Sequence, residues 1–128
     1  MTVIPYLVWR GRASPLVTTK LSVKNKSVTT LAYVDTGATY SVYNSDFCDR
    51  LGLDLLKGER VDITVGDGGI IPVYLHDVKT QIEDLEFNAK IGFSNRLGTG
   101  INLLGRETVL DEFMVCFDGV NKEIRWEH

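Results

Sequence analysis

The feature that most constrains this chain is an acid set directly after an apolar run. Leu31-Ala32-Tyr33-Val34 reads as a buried strand, and Asp35-Thr36-Gly37 reads as the tight turn at its end. A carboxylate there has little room for solvation, so it needs a proton, a partner or hydrogen bonds. Most Asp-Thr-Gly tripeptides are surface turns. Here the chain stays semi-apolar beyond the turn, through Ala38, Tyr40, Val42 and Tyr43, which points to an acid in a cleft.

The surrounding pattern is one of short strands and frequent turns. Residues 3–9 are apolar and β-prone, with Pro5 favouring an edge, and Arg10-Gly11-Arg12 breaks the run. Residues 16–23 and 28–34 read as a hairpin around Lys24-Asn25-Lys26, and that hairpin delivers Asp35 to its loop. Asn44-Ser45-Asp46 signals a helix start, residues 47–51 a short helix, and Gly52 its stop. Val61, Ile63 and Val65 alternate with polar residues, then Gly66-Asp67-Gly68-Gly69 leads into Ile70, Ile71, Val73 and Leu75, giving a hairpin with a glycine-rich tip. His76-Asp77 reads as a turn, 78–82 as a strand, Glu83-Asp84 as a turn, 85–93 as a strand and 94–100 as a loop. Residues 101–104 form a short buried strand, 107–110 a helical turn, 113–117 an apolar segment, 118–121 a turn and 123–126 a final strand. The expectation is a mostly β, closed barrel-like domain over residues 1–128, with one or two short helices.

A chain of 128 residues buries a sizeable core without metal or disulfide staples. A net charge of −3 gives no electrostatic case for nucleic acid or an acidic membrane as partner. Cys48 and Cys116 read as buried free thiols of a reducing compartment, with a single disulfide as the alternative. The apolar N-terminal run is too short for a membrane span, and Arg10 and Arg12 follow rather than precede it, so a cytoplasmic location is expected. His76 has no companion ligands in sequence, so no metal role is expected for it.

Val34-Asp35-Thr36-Gly37-Ala38 resembles the active-site motif of aspartic proteases in its retroviral, retropepsin-like form. Asn102-Leu103-Leu104-Gly105-Arg106 resembles the apolar-apolar-Gly-Arg segment that opens the C-terminal helix of that family, and the glycine-rich hairpin between them resembles its flap. The resemblance implies an acid protease fold, a homodimer that completes the active site, a peptide substrate, and no cofactor. It implies that Asp35 is catalytic and that Thr36 braces the loop across the dyad. Gly37 would leave room for the substrate backbone and accept its hydrogen bonds, and Ala38 and Thr39 would line the cleft. Gly66, Asp67, Gly68, Gly69 and Ile70 would form the flap, where glycine permits close backbone approach. Ile101 and Leu103 would shape apolar pockets beside the scissile bond. Viral members usually continue the motif into an acid that pairs with the Arg of the second segment. Here that position is Thr39, so Arg106 must find another acceptor, such as a backbone carbonyl or an acid of the other subunit.

Peptide hydrolysis by two carboxylates needs one to take a proton from water and a second to give one to the substrate. Like charges at close range cannot both ionise, so such a pair titrates as a unit. The chain has a single Asp-Thr-Gly; Asp67-Gly68 and Asp118-Gly119 lack both the apolar strand before them and a hydroxyl residue between. One chain therefore carries half a site, and a two-fold dimer would supply the rest. The leading expectation is an endopeptidase cutting between apolar residues. The alternatives are a non-catalytic dimerisation or peptide-binding module on the same fold, and a small all-β ligand carrier in which Asp35 is structural.

Overall fold

The computed structural model describes residues 1–97 and 100–128. Among these residues the chain forms β1 (Thr2–Pro5), β2 (Leu7–Trp9), β3 (Arg12–Ser14), β4 (Leu16–Val23), β5 (Lys26–Val34) and β6 (Ser41–Asn44). It continues with α1 (Ser45–Arg50), β7 (Glu59–Thr64), β8 (Ile70–Ile82), β9 (Leu85–Ser94), β10 (Asn102–Leu104), β11 (Met114–Asp118) and β12 (Glu123–Glu127). Among the described residues, two 3-10 turns, Leu55–Lys57 and Leu110–Glu112, accompany the one α-helix. The chain is mostly β, as its alternating pattern predicts. Part of the 94–100 loop, at residues 98 and 99, lies outside the described residues.

The main sheet runs β4-β5-β10-β6-β9-β8-β7, and a further β4–β8 pairing closes its first six strands into a ring. Period-two alternation decides what faces inward: in β5, Val28, Ala32 and Val34 are buried while Thr29 and Leu31 are exposed. Val17, Leu21, Ile82, Ile91, Phe93 and Leu104 join them in the core. Each Val, Leu, Ile or Phe side chain removed from water in this way contributes about 1.5–3 kcal/mol before conformational entropy is counted. Helix α1 starts where Asn44 accepts a hydrogen bond from Asp46 N at 2.9 Å, and the chain turns away at Gly52, whose φ of +73° suits glycine.

A second sheet, β1-β12-β11, gathers the two ends of the chain, with β1 on its edge as Pro5 requires. Its inner face carries Ile4, Ile124 and Trp126 into the core. Trp126 stacks edge-on against Phe113 at 5.5 Å between centroids.

Three sequence expectations are corrected. His76-Asp77 is not a turn, because β8 runs through it without a break. The strand changes partner there: residues 70–75 pair with β7 and residues 74–82 with β9. Each polar side chain finds a local partner, His76 bonding Leu55 O at 3.1 Å and Asp77 pairing with Lys90 at 3.2 Å. Cys116 is exposed rather than buried, since Val115 takes the core-facing position beside it in β11; both cysteines are free. Finally, the 107–110 segment forms no α-helix. Thr108 adopts φ of +62°, its hydroxyl accepts a hydrogen bond from Lys90 N at 2.9 Å, and only the 3-10 turn after it is helical.

Candidate active site

Strand β5 ends at Val34, whose N–H donates to Pro15 O at 2.9 Å, and the next N–H, of Asp35, donates to Leu104 O at 2.9 Å. The Asp35 loop is thus held on both sides, by the start of β4 and by β10. Inside the loop Ala38 N donates to Asp35 O at 3.2 Å, and Gly37 N donates to the Asp35 carboxylate Oδ1 at 2.9 Å. The 102–106 segment leads directly against it: Arg106 N donates to Ala38 O at 2.9 Å and Glu107 N to Thr39 O at 2.8 Å. Gly105 allows this approach, because a Cβ there would lie 2.4 Å from Tyr40 O.

Buried polar side chains fix the crossing. The Asn102 amide donates to Leu31 O at 3.0 Å and its carbonyl accepts from Asn44 N at 3.0 Å, so one side chain ties β10 to β5 and β6. Ser41 Oγ accepts from Gly105 N at 2.9 Å. Tyr43 OH donates to Thr19 Oγ1 at 2.8 Å, which in turn donates to Thr30 O at 3.0 Å. Burial pushes the Tyr43 hydroxyl well above its ordinary pKa, so it remains a donor. Buried groups satisfied in this way rigidify the frame around the loop. None of these roles is visible as a spacing in the sequence, although Asn102 does belong to the second segment.

The β7–β8 hairpin arches out of the ring. Val65 N donates to Gly69 O at 2.8 Å, Gly68 N to Val65 O at 2.9 Å, and Gly68 has φ of +85°. Asp67 Oδ1 accepts from Gly69 N at 2.7 Å, so this acid holds the tip in shape. Val42, Ile71, Val73 and Leu75 form a small apolar cluster beneath the hairpin.

Between loop and hairpin lies a cleft of about 860 Å³. Asp35, Gly37, Ala38, Thr39, Gly66, Asp67 and Leu103 line it together. Thr36, Gly68, Gly69 and Ile70 belong to the same loop and hairpin tip without lining the cleft, and Ile70 is 65 % exposed. Ile101 sits elsewhere, in a neighbouring hollow of about 440 Å³ with Trp9, Leu31 and Phe47. Tyr40, from the semi-apolar stretch after the turn, also lines the cleft, as do Asp62, Arg96 and Leu97, which nothing in their local pattern marks. Arg106 finds its acceptor in the residue that replaces the expected acid, Nη2 donating to Thr39 Oγ1 at 3.3 Å. Asp35 is half-buried while Thr36, Gly37 and Thr39 are exposed, so the loop opens to solvent in the single chain. That is less confined than the apolar run before Asp35 suggests, because the strand ends at the molecular surface.

A scan of protein-family models finds no match to this chain, and no curated protein matches it in sequence. Solved structures do. EIAV protease complexed with the inhibitor HBY-793 matches with a TM-score of 0.57 at 18% sequence identity, over 83% of this chain and 94% of that one. At that identity the likeness speaks for architecture alone: the ring of strands, the Asp35 loop and the arched hairpin form a retroviral-protease-like fold.

Proposed function

We propose that this chain is one half of an aspartic endopeptidase, and that two copies bring their Asp35 carboxylates together across a two-fold axis. The observation that supports this most is the position of Asp35 in the cleft, on a loop fixed by backbone hydrogen bonds and facing a glycine-rich hairpin. The cleft volume falls in the range usual for ligand sites, and Val42, Ile63, Ile71 and Leu103 give it apolar walls suited to large apolar side chains. In the dimer one Asp35 takes a proton from water as base while the other, protonated, gives its proton to the peptide carbonyl oxygen; the proton taken from water then passes from the first Asp35 to the leaving amine, and the second regains its proton from a hydroxyl of the collapsing intermediate. Gly37 keeps space beside the carboxylates: a Cβ there would lie 3.2 Å from Asp35 Oδ1. Thr36 braces the paired loops. The hairpin closes over the peptide, excluding water and offering backbone N–H groups.

The experiment is digestion of a peptide library from acidic to neutral pH, with and without a statine-type inhibitor, by wild type and Asp35→Asn. Inhibitor-sensitive cuts between apolar residues, lost in Asp35→Asn, support the proposal. Equal peptide binding by both forms with cleavage by neither would replace it with the non-catalytic binding module.

A further inference from the structure

We propose that Arg96 is a specificity residue of the cleft, selecting peptides that place a carboxylate against it. An acidic group near an apolar cleavage site then marks a good substrate. The inference rests on the reading of the cleft as a peptide site and names one class of peptide within it.

The charged side chains that line the cleft are Asp35, Asp62, Asp67 and Arg96. Each acid has a partner in its own chain. Asp35 Oδ1 accepts from Gly37 N at 2.9 Å, Asp67 Oδ1 accepts from Gly69 N at 2.7 Å, and Asp62 pairs with Arg60 at 3.1 Å. Arg96 is the opposite case. It is the one cation among the described residues that line the cleft. The ion pairs among the described residues use Arg60, Lys79, Lys90 and Arg125 instead. A guanidinium carries five N–H donors in a fork that matches a carboxylate, and it stays charged at any pH the protein tolerates.

The backbone fixes where this charge stands. Strand β9 ends at Ser94, which is 1% exposed and whose Oγ accepts the Arg96 N–H at 3.0 Å. Leu97 then packs against the apolar cluster of Val42, Ile71, Val73 and Leu75. Arg96 is held between these two anchors, itself exposed and beside an apolar wall. A peptide filling the cleft displaces the water that screens such a cation, which strengthens its pull on a carboxylate. The acids set the reverse condition elsewhere. A carboxylate placed near Asp35, Asp62 or Asp67 meets like charge and is disfavoured. The preference is therefore confined to peptide positions that reach Arg96. An Asp or Glu side chain and a peptide C-terminus present the same two oxygens, so both belong to the test.

The test uses the full chain and peptides that share one apolar pair and an amidated C-terminus. Glu, Gln or Lys is moved through the flanking positions, and a Gln peptide with a free C-terminal carboxylate is added. The ratio of kcat/KM between peptides is measured for wild type, Arg96→Gln, Arg96→Lys and Arg96→Glu. Binding of the same peptides to Asp35→Asn chains, with and without Arg96→Gln, is followed by fluorescence anisotropy. Wild type should prefer Glu over Gln by about fivefold at the favoured position, with Lys poorest, and salt should shrink the ratio. Arg96→Lys should keep the direction, Arg96→Gln abolish it and Arg96→Glu reverse it toward Lys, a swap that a merely structural role would not produce. Preference for the free over the amidated C-terminus, without a Glu preference, would support the inference with the terminal carboxylate as ligand. Equal ratios in wild type, or a Glu preference that survives Arg96→Gln, would overturn the inference and leave the protease reading standing. Glu-selective binding that is lost in Arg96→Gln, with no peptide cleaved, would overturn the protease reading and leave Arg96 as the selector. A chain that neither binds nor cleaves any of the peptides would overturn both.

Discussion

In the terminal sheet, each strand that ends the chain finds its partners within the same chain, and the side chains follow the backbone into the core. In the Asp35 loop the backbone is tied as thoroughly, through Pro15, Leu104 and Ala38. Its side chains are not enclosed: Thr36, Gly37 and Thr39 face solvent, and the carboxylate accepts a hydrogen bond from Gly37 N. The difference separates two uses of the same β architecture. One end spends its hydrogen bonds and apolar area on stability. The other fixes an acid in place and leaves its surroundings unfilled, which is the arrangement the proposed dyad calls for.

Substitutions at the two ends should therefore give opposite signatures. Asp35→Asn should lower peptide cleavage by about 10³-fold or more with little change in melting temperature, since the Asn carbonyl still accepts from Gly37 N. Trp126→Ala should do the reverse, costing about 3–5 kcal/mol in denaturant unfolding while the folded fraction keeps its cleft. A stability loss in the first, or selective loss of activity in the second, would break the contrast.

Thr39→Asp sharpens it on a smaller scale. It would give the Arg106 guanidinium a carboxylate in place of a hydroxyl at 3.3 Å. Both groups are exposed, so the expected gain is about 0.2–1 kcal/mol, shrinking as salt is added.

The smallest effect belongs to the β11–β12 turn. Hydrogen bonds from the Asn121 backbone and side chain, then from Val120 N, with Arg125 nearby, hold the Asp118 carboxyl below its ordinary pKa. A depressed folded value means the stabilisation is present above the unfolded carboxylate pKa and is lost as pH falls through the folded one. The difference in melting temperature between wild type and Asp118→Ala should therefore narrow in acid. A difference that does not change with pH would contradict this linkage.

The readable part of the chain is the part whose signals are local. The end of β5 in an acid, the glycine-rich hairpin tip and the Asn44 cap each follow from neighbours in sequence. The unreadable part depends on partners far along the chain. His76-Asp77 carries turn residues, yet β8 passes through because β9 takes over as its neighbour there. Thr108 leaves helical geometry while its hydroxyl meets Lys90, eighteen positions away. The Asn102 amide matters because three strands cross at it, a fact of topology rather than spacing. The pairing of β12 with β1 and β11 is of the same kind: the polar look of Arg125 and Glu127 hides the alternation that buries Ile124 and Trp126.

The most direct test of the central claim is a mixing titration. Wild-type chain at fixed concentration is combined with increasing Asp35→Asn chain, and cleavage of a peptide substrate is followed after subunits have exchanged. If the site is completed by a second copy, mixed dimers carry one carboxylate too few, and cleavage falls toward zero as the variant is added in excess. Cleavage that stays at the wild-type level throughout would mean that a single chain works alone, and the half-site account would be wrong.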